Sequence, residues 1–326
     1  MDKEFKKTLR TLSLLGQRGT LGVTLDMLAK DNKKICALTA DLKGSCRLDR
    51  FAASYPERFF NIGIAEQNMV GIAGGLASEG FIPFAASFAN FSVLRANEFV
   101  KHFMGYMKEN IKLVSINSGF ATGMLGNTHY GLEDIAAVCA IPNILILSPC
   151  DCLETQKAII AAAEYNGPVY LRLTGDAGNP SVYKEDYEFK IGKPICLKQD
   201  GNIALVATGT TVYHCLNAAK KLAQEGINAQ VWNVHTLSKI DTDSLNKLCE
   251  SEMIITVEEH RKIGGLGSFI TDQVIKRDIH PKLRRIGLEP KYDLAGTFEY
   301  CMEQNNLKGD ALINEIKNQI NIITAV

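Results

Sequence analysis

The stretch FFNIGIAEQNMVGIAGGLASEG, residues 59–80, sets a carboxylate, Glu66, at the first turn of a glycine-rich helical pattern. Two readings of that carboxylate are open at this point. On a surface, it complements the positive end of the helix dipole. In a dry pocket, desolvation raises the pKa of such a group and lets it exchange a proton near neutrality. Met69, Ile72 and Leu76 recur at i, i+3 and i+7, the spacing of one helix face, while Gly71, Ala73, Gly74 and Gly75 leave the opposite side nearly smooth. A glycine inside a helix costs about 1 kcal/mol relative to alanine, so three of them predict that something approaches this helix closely. A strand end, a tight turn and a helix start are the usual place for a ligand in an α/β protein. Just downstream, Phe88 and Phe91 in FANF stand three apart, which predicts one helical face bearing either an aromatic wall or ordinary core.

The elements that must hold these residues alternate. Strands are expected at 35–40, 59–62, 81–86, 111–116, 143–148 and 168–173. Helices are expected near 20–30, 66–79, 88–107, 132–139 and 151–164. Such alternation predicts a mostly parallel α/β sheet. The polar stretch GDAGNPSVYKEDYEFKIGKP then reads as a connection. A second unit follows, with strands near 203–207, 229–234, 253–258 and 283–288. Its helices are expected near 211–226, 241–250 and 265–277, and Leu312, Ile313, Ile316 and Ile320 line one side of a last amphipathic helix. The expected organisation is a first domain over 1–178, a linker over 179–194 and a second domain over 195–326, both α/β with mostly parallel sheets.

Composition narrows the function classes. The chain has 326 residues, 46% apolar and 22% charged, with 36 basic and 36 acidic side chains and zero formal net charge. That balance belongs to a folded protein and favours neither nucleic acid nor an anionic membrane as partner. No apolar run is long enough for a membrane span, and the amino-terminal segment lacks the pattern of a signal peptide. Nine cysteines, scattered through apolar segments, fit reduced thiols in a cytoplasm. The CDC at 150–152 is too sparse for a metal site, and no metal ligand is expected in this chain.

Several motifs together carry a family resemblance. ERFFNIGIAEQNMVGIAGGLASEGFIPFAASFANF, with ADLKGS upstream and NTHYGLEDIA and GPVYLRL downstream, resembles the pyrimidine-binding domain of transketolases. ALVATGTTV and IITVEEHRKIGGLGSFITDQV extend the match, and the likeness over about residues 10–326 is to the carboxy-terminal half of transketolases split into two chains. The resemblance implies thiamine diphosphate as cofactor and transfer of a two-carbon ketol unit from a ketose to an aldose. Glu66 falls where the family's carboxylate bonds a ring nitrogen of the cofactor's aminopyrimidine. Phe88 and Phe91 fall where aromatic rings pack on that pyrimidine. Asp41, Leu42 and Ile64 match positions along the thiamine, and Arg95 matches an arginine of split-chain members. His129 matches a histidine near the substrate hydroxyls, with a catalytic role. Arg18 and Ser45 match positions that bind the substrate phosphate, a task for which a planar guanidinium is suited.

The chain also departs from that pattern. Asn117 stands where the family usually has a histidine, and Leu125 where it has an aspartate that reads a sugar hydroxyl. Tyr130 stands where a glutamine is frequent, and Gly175 where a second phosphate-binding arginine is expected. Each lost charge-assisted hydrogen bond costs about 1.5–3 kcal/mol, so a non-standard sugar is expected in the substrate site that includes Asn117. The Gly-Asp-Gly motif that holds the diphosphate and its Mg2+ does not occur; GDAGN at 175–179 with Asn202 is a superficial echo. The resemblance therefore implies an amino-terminal transketolase subunit as partner, with the metal ligands on that chain. Self-association into a dimer would complete a heterotetramer. GGLGSF, at 264–269, reads as a tight turn for close packing or as a backbone anion site. Three rival readings remain: the beta subunit of a 2-oxoacid dehydrogenase, a non-catalytic scaffold with the same fold, and a relative of the deoxyxylulose-phosphate synthases, which are usually one longer chain. GIAEQNM with NTHYGLEDIA favours transketolase over the first, and retention of Glu66, Phe88, Phe91 and His129 speaks against the second.

Overall fold

A computed structural model of the chain describes residues 3–174, 180–292 and 294–324. Six parallel strands make the first sheet: β1 (Ile35–Thr39), β2 (Phe59–Asn61), β3 (Ile82–Phe88), β4 (Lys112–Ser118), β5 (Leu145–Leu147) and β6 (Val169–Thr174), in the order β2-β1-β3-β4-β6-β5. Helices α1 (Lys3–Asp31), α2 (Asp49–Ser54), α3 (Glu66–Ser78), α5 (Asp134–Cys139) and α6 (Cys152–Glu164) belong to this unit. The short α4 (Asn97–Phe99) lies between π-helical segments Asn90–Arg95 and Val100–Tyr106. Alternate side chains of β1 enter opposite cores: Cys36 and Leu38 pack with Met69 and Val70 of α3, Ile35 and Ala37 with Leu21 and Leu25 of α1. A sheet covered on both faces buries its inner strands on both sides, which is why β1 reads as an apolar run without alternation.

The second sheet comprises β7 (Ile195–Lys198), β8 (Ile203–Ala207), β9 (Ala229–Asn233), β10 (Met253–Arg261) and β11 (Lys282–Leu288), in the order β11-β10-β8-β9-β7. Its pairings are parallel except that between β7 and β9. Around it lie α7 (Thr211–Gln224), α8 (Thr242–Cys249), α9 (Leu266–Val274), α10 (Phe298–Gln304) and α11 (Gly309–Thr324). Leu312, Ile313 and Ile316 of α11 are buried and Ile320 packs beside them, as their spacing predicts. Among the described residues no helix is long and apolar enough to cross a membrane.

Local corrections to the sequence reading have physical causes. The first helix begins far earlier than residue 20 and breaks at Gly16, whose φ of 69° suits glycine. Its first arm sends Phe5 and Leu9 onto the core of the second unit. The short α2 and α10 and the edge strand β7 carry too few apolar repeats to stand out by periodicity. The polar stretch after β6 is pinned down: Val182 N and Tyr183 N donate to Asp151, and the Tyr183 and Tyr187 hydroxyls donate to Glu154. GDAGN at 175–179, and with it Gly175, lies outside the described residues.

A polar layer joins the two units. GGLGSF is the turn into α9, and the site its backbone N–H groups form is filled from within. The carboxylate of Glu258 accepts from Leu266 N at 2.6 Å and Gly267 N at 2.9 Å. A Cβ on Gly265 would lie 1.9 Å from that carboxylate, so the glycine is there for close packing. Burial pushes Glu258 up to about 7, against the pull of those N–H groups and of Arg172 and Arg285. Neighbouring His260, lowered to about 4 chiefly by burial, donates from Nδ1 to Arg261 O and accepts Ala136 N at Nε2. Because folded Glu258 holds its proton more tightly than the unfolded chain does, its contribution to stability is present below about pH 4.5 and is lost as pH rises toward about 7. The span corresponds to about 3 kcal/mol. Urea denaturation across this window is expected to show that slope in the wild-type chain and to lose it in Glu258→Gln; equal slopes in both would mean the carboxyl is ionised throughout.

Candidate active site

The carboxyl ends of β1, β2, β3 and β4 open on one edge of the first sheet, the edge where ligands bind in parallel α/β proteins. Glu66 begins α3 directly after the turn from β2, and its side chain is 1% exposed. It is therefore the buried carboxylate of the two readings. Oε2 accepts from Arg95 Nη1 at 2.7 Å, and Oε1 lies 3.5 Å from the Ser87 hydroxyl. Arg95 is 44% exposed on its side chain, and its guanidinium lies 4.3 Å from the centre of the Phe91 ring, a cation–π contact.

Phe88 and Phe91 do stand together, with centroids 6.0 Å apart and planes 22° from parallel. The helical spacing that predicted this is not the reason. Phe88 is the last residue of β3, paired in register with Ile116 of β4, and only after it does the chain enter the π-helical turn that carries Phe91. The edge of the His129 ring meets both, at 5.3 Å from Phe91 and 6.3 Å from Phe88. His129 Nδ1 lies 2.9 Å from the Thr128 hydroxyl, and Asn90 Nδ2 donates to Thr128 O at 2.7 Å. Glu66, Phe88, Phe91, Arg95 and His129 thus form one contiguous cluster from four separate segments.

The close approach that the glycines of α3 predict comes from within the protein. A Cβ on Gly74 would lie 2.4 Å from the Phe103 ring, Gly71 faces Phe99, and Gly75 has nothing within 4 Å. Gly71 and Gly74 seat Phe99 and Phe103 against α3.

The remaining residues divide. Asp41 has a φ of 59° and is exposed; Asn61 Nδ2 donates to its carboxylate at 3.1 Å, while Asn61 Oδ1 accepts from the backbone of Asp41 and Gly63. Asn61, which sequence reasoning missed, therefore stitches the ends of β1 and β2. Leu42 is half-buried, but Ile64, on the turn before Glu66, is 77% exposed. Within this chain Ile64 does not wall a pocket. Arg18 lies close enough to Cys46 for its charge to act on that thiol, which puts it beside the loop of Ser45. Burial dominates there and pushes Cys46 up to about 12.

Asn117 is the last residue but one of β4, one beyond the Phe88 register, with φ 53°, a left-handed conformation that asparagine tolerates. Leu125 is exposed on the 3-10 turn Gly123–Thr128. Tyr130 is buried against Phe120, and its hydroxyl donates to Gly123 O. Among the described residues no group of three His, Cys, Asp or Glu side chains could hold a metal ion.

The chain matches known proteins over most of its length. A family model described as transketolase, pyrimidine binding domain, matches residues 17–179, and one described as transketolase, C-terminal domain, matches 192–294. The chain is 36% identical over 307 residues to a putative transketolase C-terminal section of Methanocaldococcus jannaschii, covering 94% of this chain and 96% of that one. It is 37% identical over 278 residues to one subunit of an apulose-4-phosphate transketolase of Phocaeicola vulgatus, covering 85% of this chain and 88% of that one. A solved structure described as a split gene transketolase, inactive beta4 tetramer, superposes with a TM-score of 0.82 at 35% identity, covering 93% and 97% of the two chains.

Proposed function

The chain belongs to the transketolase family, and from that premise we propose that it is the pyrimidine-binding half of a two-chain, thiamine diphosphate-dependent ketol transferase acting on a non-standard sugar. The observation that carries the reading is the buried Glu66 carboxylate, linked through Arg95 to the paired Phe91 and Phe88 rings. That pairing fits an aminopyrimidine, which needs an apolar surface for its ring and an acceptor, or a shared proton, for its ring nitrogen. When bound, thiamine diphosphate supplies a nucleophilic carbon able to carry a two-carbon ketol unit. Glu66 holds the proton at the pyrimidine nitrogen, where low dielectric strengthens the bond. Arg95 keeps the carboxylate oriented, the two phenylalanines exclude water, and His129 holds or moves a proton at the ketol oxygen. Asp41, Leu42 and Ile64 complete the thiamine side, with Ile64 covered only on assembly. Arg18 and Ser45 receive the phosphate end of the sugar.

The diphosphate and Mg2+ half is not among these 326 residues, and we assign it to a separate chain, with two copies of each chain in the assembly. Support comes from relatives of similar length described as a C-terminal section, as one subunit of a transketolase and as a split gene product. Asn117 and Leu125 support the non-standard sugar, as does a relative named for apulose 4-phosphate. We take the two structural units as domains separated near residues 179–194, and the reaction as cytoplasmic.

Calorimetric titration of the isolated chain with thiamine diphosphate and Mg2+ is expected to show binding at least about 100-fold weaker than in the presence of a diphosphate-domain chain, since half the contacts are missing. Tight binding by the isolated chain would remove the need for a partner. In the reconstituted pair, xylulose 5-phosphate and ribose 5-phosphate are expected to be poor substrates; turnover equal to that of a standard transketolase would sink the non-standard sugar.

A further inference from the structure

The chain leaves the first sheet after Ser118, the last residue of β4, makes the loop that bears Leu125 and His129, and returns at Gly131. The neck of that loop is a single antiparallel bridge: Gly119 N donates to Gly131 O at 2.8 Å and Gly131 N to Gly119 O at 3.1 Å. A loop closed by two hydrogen bonds, with φ positive at Gly119, Gly123 and Gly126, has many backbone alternatives unless its neck is held.

The second unit holds it. Glu259, on β10, is 2% exposed. Its Oε1 accepts from Phe120 N at 2.6 Å, and its Oε2 accepts from the Thr210 hydroxyl at 2.7 Å. The contact is tight: a Cβ on Gly119 would lie 2.1 Å from Oε1. Arg172 donates from Nη2 to both Gly131 O and Glu259 O, at 3.2 and 2.9 Å. Arg261 N donates to Leu132 O at 3.0 Å. Both strands of the neck are thus bonded to one end of β10, while Asn90 secures the far side of the loop through Thr128 O.

We infer that Glu259, a residue of the carboxy-terminal unit, is a positioning residue for the substrate side of the site: by fixing the neck at Gly119–Phe120 it sets where Asn117 and His129 stand. The inference rests on the proposed role of the His129 loop. It gives the second sheet a part in the chemistry although it supplies no group to the cluster around Glu66. Glu259→Ala removes both acceptors and leaves the Phe120 N–H buried without a partner, whereas Glu259→Gln keeps an acceptor for it.

Hydrogen exchange of the isolated chain reads the clamp without reference to any reaction. Glu259→Ala is expected to speed exchange of amides in 119–131 by about tenfold or more, the loss of roughly one buried hydrogen bond, with amides of β1 and β3 unchanged. Glu259→Gln is expected to restore most of the protection. If the alanine variant does not fold, Thr210→Val removes one of the two anchors and is expected to loosen the same peptides to a smaller degree. In the assembled two-chain enzyme, the KM for the sugar is expected to rise about tenfold or more in Glu259→Ala, since misplacement of about 1 Å carries penalties of that order. Affinity for thiamine diphosphate is expected to stay the same. Unchanged exchange at 119–131, or faster exchange with unchanged KM, would overturn the inference. Faster exchange in the variant, with a wild-type assembly that transfers no ketol unit, would leave the clamp standing and dismiss the proposed reaction.

Discussion

Replacing Glu66 by alanine is expected to lower ketol transfer by the assembled enzyme by about 10³-fold, the range of a positioned proton-transfer group. Three features make this the largest functional effect. The side chain is 1% exposed, so no water can substitute for it cheaply. It is the only carboxylate in the cluster with Phe88, Phe91, Arg95 and His129. Its loss also leaves Arg95 without the 2.7 Å ion pair that orients the guanidinium over Phe91. Glu66→Gln separates these contributions, because an amide can still accept from Arg95 but cannot take up a proton. It is expected to bind thiamine diphosphate nearly as well as wild type while turning over as slowly as the alanine variant. Steady-state turnover and cofactor titration of both variants in the two-chain assembly read the result. Unchanged turnover in Glu66→Ala would support a non-catalytic scaffold.

The largest stability effect is expected at Asp134, whose Oδ2 accepts from Arg172 Nε at 2.8 Å and from the Tyr170 hydroxyl at 2.6 Å. Both members of the ion pair are essentially unexposed. Burial disfavours the guanidinium charge, yet Asp134 and Glu259 more than offset this, and the Arg172 pKa is raised. Asp134→Ala strands that charge, so it is expected to cost about 3–5 kcal/mol, the penalty for breaking a buried pair from one side. The fall would be measured by urea denaturation. The double variant Asp134→Ala, Arg172→Met removes the charge along with its partner and is expected to recover much of the loss. A double variant no more stable than the single one would mean that the packing of the loop neck, through Gly131 O, outweighs the electrostatics.

Much of the fold is legible in the residues because both sheets bury their inner strands on two faces. Short runs rich in β-branched and apolar residues, such as ICALT and IKLVSI, mark strands by composition alone, and turn residues bound them. The same rule hides β7, an edge strand whose residues are only half-buried. It also hides the π-helical turns, which break the 3.6-residue period across 90–106. The helical reading of Phe88 fails because that residue closes β3 before the π-helical segment begins, although the aromatic pair itself stands as the spacing suggests.

What the residues alone determined about this protein is the family its motifs carry, and which groups could do chemistry: a carboxylate at one helix start, two phenylalanines and a loop histidine. Residue type and local spacing suffice for that, since each motif lies within a few turns of chain. What only the tertiary structure decided is which of these groups meet and what holds them. Arg95 on Glu66, Asn61 on Asp41 and Glu259 at the neck of the His129 loop join residues 29, 20 and 139 positions apart. Such pairings leave no periodicity in the sequence, because they are set by strand order and by the packing of one sheet's end against the other.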